Sequence, residues 1–233
     1  IKMKKAALIL ILTCTTLLEA QELKQVPMIN VSGEGKVKVT PDQALISLSL
    51  ETKGAKASDV KKENDTKMDA VIKYIKKWNI AKEDFQTQRV SLYPNYDYEK
   101  KKHNYVATQS VQILLKDLTN YDDLIDGLVD IGINRIDNVE FKSSKFAQLQ
   151  SDARKLAIKD AKAKAEDFVS VLGQKVGKAI TISDNSQNYN PQPIRYMEMK
   201  TMAMASDQAA PRETLAVGEI EIVTNVSVSF ILE

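Results

Sequence analysis

An α+β fold is predicted for this chain, with antiparallel sheets built from β-hairpins and helices packed on one face. Three features of the sequence carry that expectation. Several segments alternate apolar and polar residues with a period of two. Between them lie segments whose apolar residues recur at three and four positions, the period of a helix. A long alanine-rich stretch near residues 145–172 holds five alanines from Ala153 to Ala165 and runs into Gly173.

The elements follow in order. "INVSGEGKVKV" puts Ile29, Val31, Val37 and Val39 on one face, with Gly33 and Gly35 where a strand can bulge or receive another backbone. Thr40-Pro41-Asp42 reads as a turn, and Ala44, Ile46, Leu48 and Leu50 alternate after it, so the two runs are expected to pair as a β-hairpin. Residues 57–78 change period: Val60, Met68, Val71, Ile72, Ile75 and Trp78 share a helical face. Two strands are expected at Phe85–Tyr93 and Tyr105–Leu115, joined by a polar tip, "PNYDYEKKKHN". A short helix at 119–131 turns Leu124, Ile125, Leu128 and Val129 inward, and "RIDNVEF" at 135–141 reads as a strand.

The long helix then runs to Gly173, in the usual C-terminal glycine position. A strand at Lys175–Ser183 leads into a polar, proline- and methionine-rich segment, 184–213, expected to be mobile or to form oligomer contacts. In the closing strand, Ile220, Ile222, Val226, Val228, Phe230 and Leu232 share one face.

Within the long helix, Ala153, Ala157, Ala161 and Ala165 stand four apart and form one ridge. Leu149, Leu156, Phe168, Val169 and Leu172 flank it, while Lys155, Lys159, Lys162 and Glu166 point the other way. Small side chains along a ridge allow close approach to a flat partner. A phosphate-binding helix has charge left over and aromatics to stack on bases; here the chain without its leader is neutral and the helix alternates Lys with Asp and Glu, so it is read as a scaffold and nucleic acid is not its partner.

The N-terminal residues indicate export. Lys4 and Lys5 precede an uncharged run from Ala6 to Leu18, and Ala20 supplies a small residue for cleavage, so residues 1–20 are expected to be a signal peptide and 21–233 a single domain. The run is short for a membrane anchor, which needs about 20 apolar residues. The leader carries Lys2, Lys4 and Lys5 against Glu19, so its removal takes the net charge from +2 to zero. Cys14, the only cysteine, leaves with it. Its context fits a lipoprotein site only loosely. About 210 residues remain, enough to bury roughly 70% of the unfolded surface without disulfides.

Four segments carry a resemblance, in register from Ile29 to Leu232: "VSGEGKVKVTPDQALISLSLET", Tyr105-x-Ala107, "DARKLAIKDAKAKAEDFVSVLG" and "VGEIEIVTNVSVSFIL". Together they resemble the SIMPL-domain family. Members often have Pro before the glycine of the last segment, where this chain has Val217-Gly218, a departure that bears only on a local turn. The resemblance implies a secreted or periplasmic, non-enzymatic protein that forms a homo-oligomer. It also implies a role in cell-envelope integrity or the oxidative-stress response, with envelope association.

The residues supply little reactive chemistry. Outside the leader there is no cysteine, and His103 is the only histidine, set in "EKKKHN" as a solvated surface residue. Nucleophile–base pairs and zinc sets of the usual kind cannot be built from these. No catalytic residue, cofactor or small-molecule substrate is identified. Asp122, Asp123, Asp126 and Asp130 cluster on the short helix, where charge at a helix start and solvation account for them. Gly33-x-Gly35 lacks the third glycine of a dinucleotide loop. Met197, Met199, Met202 and Met204 lie within eight residues. Their thioethers could hold Cu(I) or absorb oxidant as sulfoxides, or the segment could capture a partner protein; a mobile arm or oligomer contact is the plainer alternative.

Overall fold

A computed structural model describes residues 26–98, 101–186, 192–193 and 215–233. The expected leader with Cys14, and Met197, Met199, Met202 and Met204, lie outside the described residues. The elements are β1 (Met28–Val39), β2 (Gln43–Gly54), α1 (Ala57–Lys77), β3 (Phe85–Asp97), β4 (Lys102–Leu115), α2 (Tyr121–Ile131), β5 (Arg135–Lys142), α3 (Phe146–Ser170), β6 (Val176–Asp184), β7 (Gln192–Pro193) and β8 (Ile220–Leu232). The fold is α+β with antiparallel sheets, as the periodicities predict. One sheet has the order β1-β8-β6, with β7 also on β8; the other has the order β3-β4-β2-β5.

β1 and β2 do not form the expected hairpin. β1 pairs along its whole length with β8, from Met28 opposite Ile231 to Val39 opposite Ile220, while β2 lies in the other sheet between β4 and β5. The physical reason lies in the connection. A tight hairpin loop needs residues that tolerate positive φ, and Thr40-Pro41-Asp42 has none in that region. Instead Asp42 ties the start of β2 to the end of β5: its amide donates to the Lys142 carbonyl at 3.2 Å, and its carboxylate accepts from the Ser144 amide at 2.7 Å.

The expected polar tip is also largely strand. β3 and β4 stay paired through Pro94–Tyr105, Asn95–Asn104, Tyr96–His103 and Asp97–Lys102. Cross-strand aromatic contact extends the ladder: the Tyr96 ring lies 4.9 Å from His103 and 5.0 Å, edge-on, from Tyr98. His103 is exposed there, as its lysine-rich setting suggests.

Each sheet has its own core. Ile46, Leu48 and Leu50 of β2 and Val111 and Ile113 of β4 pack against Met68, Val71 and Ile75 of α1 and Leu124 and Leu128 of α2. Asn64 also belongs to this buried face of α1. Its Nδ2 donates to the Leu50 carbonyl at 3.2 Å, Thr52 Oγ1 at 3.1 Å and the Ala107 carbonyl at 3.3 Å, which joins the helix to β2 and β4. Ala157, Ala161 and Ala165 of α3 meet Val31, Val226, Val228 and Phe230 in the second core.

Gly173 ends α3 at φ 66°, with the Gln174 amide reaching back to the Val169 carbonyl at 3.2 Å, a Schellman closure. Gly218, after the Val217 that departs from the family pattern, has φ 60°; the turn uses the glycine itself.

Candidate functional site

The alanine ridge of α3 is seated on the two glycines of β1. All four alanines, Ala153, Ala157, Ala161 and Ala165, are fully buried. A Cβ placed on Gly33 would stand 2.0 Å from the Ala157 carbonyl oxygen, and one on Gly35 would stand 1.9 Å from that of Ala153. Helix backbone therefore lies directly on strand backbone. Of the two roles open to Gly33 and Gly35, bulge or close approach, the structure uses close approach, and the β1–β8 register runs through them without a shift.

The ridge beside the alanines caps the free edge of β1. Asp160 Oδ2 accepts the Glu34 amide at 2.8 Å, and Lys164 Nζ donates to the Ser32 carbonyl at 3.3 Å and to Asp160 at 2.7 Å. The Lys164 hydrogen bond, then the Glu34 amide, hold the Asp160 carboxyl below the usual carboxylate range. On the opposite flank, Arg154 Nε donates to Asp184 Oδ2 of β6 at 2.8 Å. Hydrogen bonds from the Ser186 hydroxyl and amide, with that from Arg154, lower the Asp184 pKa to about 2.

Leu156, Phe168 and Leu172, expected to flank the buried ridge, are exposed instead; Phe168 retains 62% of its surface. Leu156 and Phe168 stand four residues either side of the Asp160–Lys164 pair and so extend the row that faces the β1 edge. On the other flank, Ile180 and Ile182 of β6 are exposed, and among the described residues β6 pairs only with β8. The first sheet thus carries apolar side chains at both margins.

Asp123, Asp126 and Asp130 lie on the exposed side of α2 and Asp122 is half-buried, opposite the buried Leu124, Ile125 and Leu128. Val129, expected to face inward, is 49% exposed. Among the described residues no group of three or more His, Cys, Asp and Glu could hold a metal ion, and no helix is long and apolar enough to cross a membrane.

Two antiparallel sheets, each backed by its own helix layer and joined in this order, define a two-sheet α+β scaffold. The chain belongs to the SIMPL family, whose profile, described as a protein of unknown function (DUF541), matches residues 29–230. It is similar to the 26 kDa periplasmic immunogenic protein of Brucella melitensis biotype 1, with 30% identity over 224 residues, 92% of this chain and 88% of the relative. It is also similar to the uncharacterized protein YggE of Escherichia coli strain K12, with 28% identity over 218 residues, 92% of this chain and 87% of the relative. The YggE protein of Edwardsiella ictaluri is 24% identical over 216 residues, 91% of this chain and 90% of the relative.

Proposed function

We propose that this is an exported, periplasmic, non-enzymatic protein that self-assembles through the two margins of its first sheet and supports the cell envelope, including under oxidative stress. The observation that carries the reading is the exposed apolar pair of flanks: Leu156 and Phe168 outside β1, Ile180 and Ile182 on β6. Two different patches on opposite sides of one subunit suit a head-to-tail contact, which closes into a ring when the rotation per subunit divides the circle. β6, an edge strand with exposed apolar residues, is also a ready template for pairing. Export accords with the leader-like residues 1–20, and the periplasmic setting with the name of the Brucella relative.

Light scattering on the purified protein tests the assembly. A mass several times that of one chain is expected, falling to that of a monomer for Phe168→Glu and for Ile182→Lys, with circular dichroism unchanged. A wild-type monomer at micromolar concentration would refute self-assembly. The export half is read separately, from cell fractionation and the mature N-terminus.

A further inference from the structure

On the face of the second sheet away from α1 and α2, one polar row with an arginine at each end crosses all four strands. Arg89 of β3 stands opposite Ser110 of β4, Ser110 opposite Ser49 of β2, and Ser49 opposite Arg135 of β5. Paired residues of an antiparallel sheet point to the same side, so two arginines close the ends of a floor made by two serines. Both outer strands are bulged beside this row: Gln88 is the extra residue in β3 and Asp137 the extra residue in β5. Bulges re-aim side chains and recur next to binding sites. Here Gln88 and Asp137 line the same groove as the row, a cavity of about 560 Å³ with Tyr93 at its wall. That volume lies in the range of small-molecule sites.

The polar groups are already ordered. Ser49 is only 3% exposed, and its hydroxyl donates to Asp137 Oδ2. Arg135 Nη2 donates to Asp137 Oδ1 at 2.8 Å, which leaves other guanidinium N–H groups directed elsewhere. The Arg89 side chain has no ion pair or hydrogen bond among the described residues. Glu51, 3.7 Å from Arg135, is matched by Lys53 at 2.9 Å. The groove itself therefore carries two guanidinium groups against one carboxylate, a surplus of one positive charge.

We propose that this groove binds a small hydroxylated monocarboxylate, a sugar acid. Arg89 offers a planar fork to the ligand carboxylate. Ser110 and the lone pairs of Ser49 meet hydroxyl groups along the floor, and Asp137 accepts from ligand hydroxyls. The same carboxylate opposes a second negative charge, which selects against a phosphate dianion. The exposed Tyr93 ring offers an apolar face to the C–H side of a pyranose.

The test is calorimetric titration of the purified protein with D-glucuronate, D-glucose and inorganic phosphate at neutral pH. Glucuronate is expected to bind, and glucose and phosphate to bind at least about tenfold more weakly. Arg89→Ala, at an exposed side chain without partners among the described residues, is expected to weaken glucuronate about tenfold or more while leaving the thermal transition in place. Asp137→Asn is expected to narrow the gap between glucuronate and phosphate. No heat with glucuronate at millimolar concentration, equal binding of phosphate, or unchanged affinity in Arg89→Ala would each overturn the proposal.

Discussion

The two halves of the molecule solve the same packing problem with opposite means. Over the second sheet, α1 buries Val60, Met68, Val71 and Ile75, so helix and strands are held apart by large side chains that interlock. Over the first sheet, α3 buries Ala153, Ala157, Ala161, Ala165 and Val169, and the helix descends until its backbone meets Gly33 and Gly35. The apolar area per residue is smaller in the second arrangement, and hydrophobic stabilisation scales with area. What replaces it is dense backbone contact, where many weak dispersion terms add, and the edge hydrogen bonds of Asp160 and Lys164. A side-chain core tolerates small changes of volume. A backbone-to-backbone contact has no slack.

The largest test of this contrast adds one carbon on the first side and removes one on the other. Gly33→Ala puts a methyl 2.0 Å from the Ala157 carbonyl oxygen, so α3 must lift. A loss above about 3 kcal/mol is expected, with α3 and the first sheet unfolding ahead of the second. Ile46→Val in the fully buried core of the second sheet is expected to cost only about 1 kcal/mol. Denaturant unfolding followed at both halves checks the pair; equal costs would remove the distinction.

A smaller effect is expected where the second half depends on one polar group. Asn64→Ala takes away the donor shared by Leu50, Thr52 and Ala107, at a cost of about 2 kcal/mol in the same assay.

The smallest effect concerns the Arg154–Asp184 contact between α3 and β6. Hydrogen bonds from Ser186, then from Arg154, hold the folded pKa of Asp184 at about 2, below the ordinary 3.8, so its contribution is present above about pH 4 and is lost as pH falls toward 2. Its side chain is 39% exposed, and solvent screening keeps the contribution below about 1 kcal/mol. The stability difference between wild type and Asp184→Asn is expected at pH 7 and should vanish near pH 2; a difference independent of pH would contradict the assignment.

Periodicity exposed most elements because the residues that set it face a core. The closing strand is the clearest case: Ile220, Ile222, Val226, Val228 and Phe230 alternate in the sequence and are buried in the fold. Partners were harder to see. Neighbourhood in sequence puts β1 beside β2, yet all twelve of its residues pair with β8, at the other end of the chain. Apolar periodicity passes over Asn64 because the residue is polar, although its place between Val60 and Met68 at helical spacing puts it on the buried face of α1. Arg89, Ser110, Ser49 and Arg135 carry no motif at all; pairing of four strands makes them a row.

The linear chain by itself determined which residues form strands and helices, since the period of apolar residues must match the local geometry that buries them. It also determined that α3 would present a narrow alanine ridge to a flat partner, because residues four apart must lie on one line. Only the tertiary structure decided that the partner is the glycine pair of β1, that the flanking Phe168 and Leu172 stay exposed, and that two arginines face each other across a serine floor. Those facts depend on strand pairing over long separations, where many registers bury similar area and the whole assembly selects one.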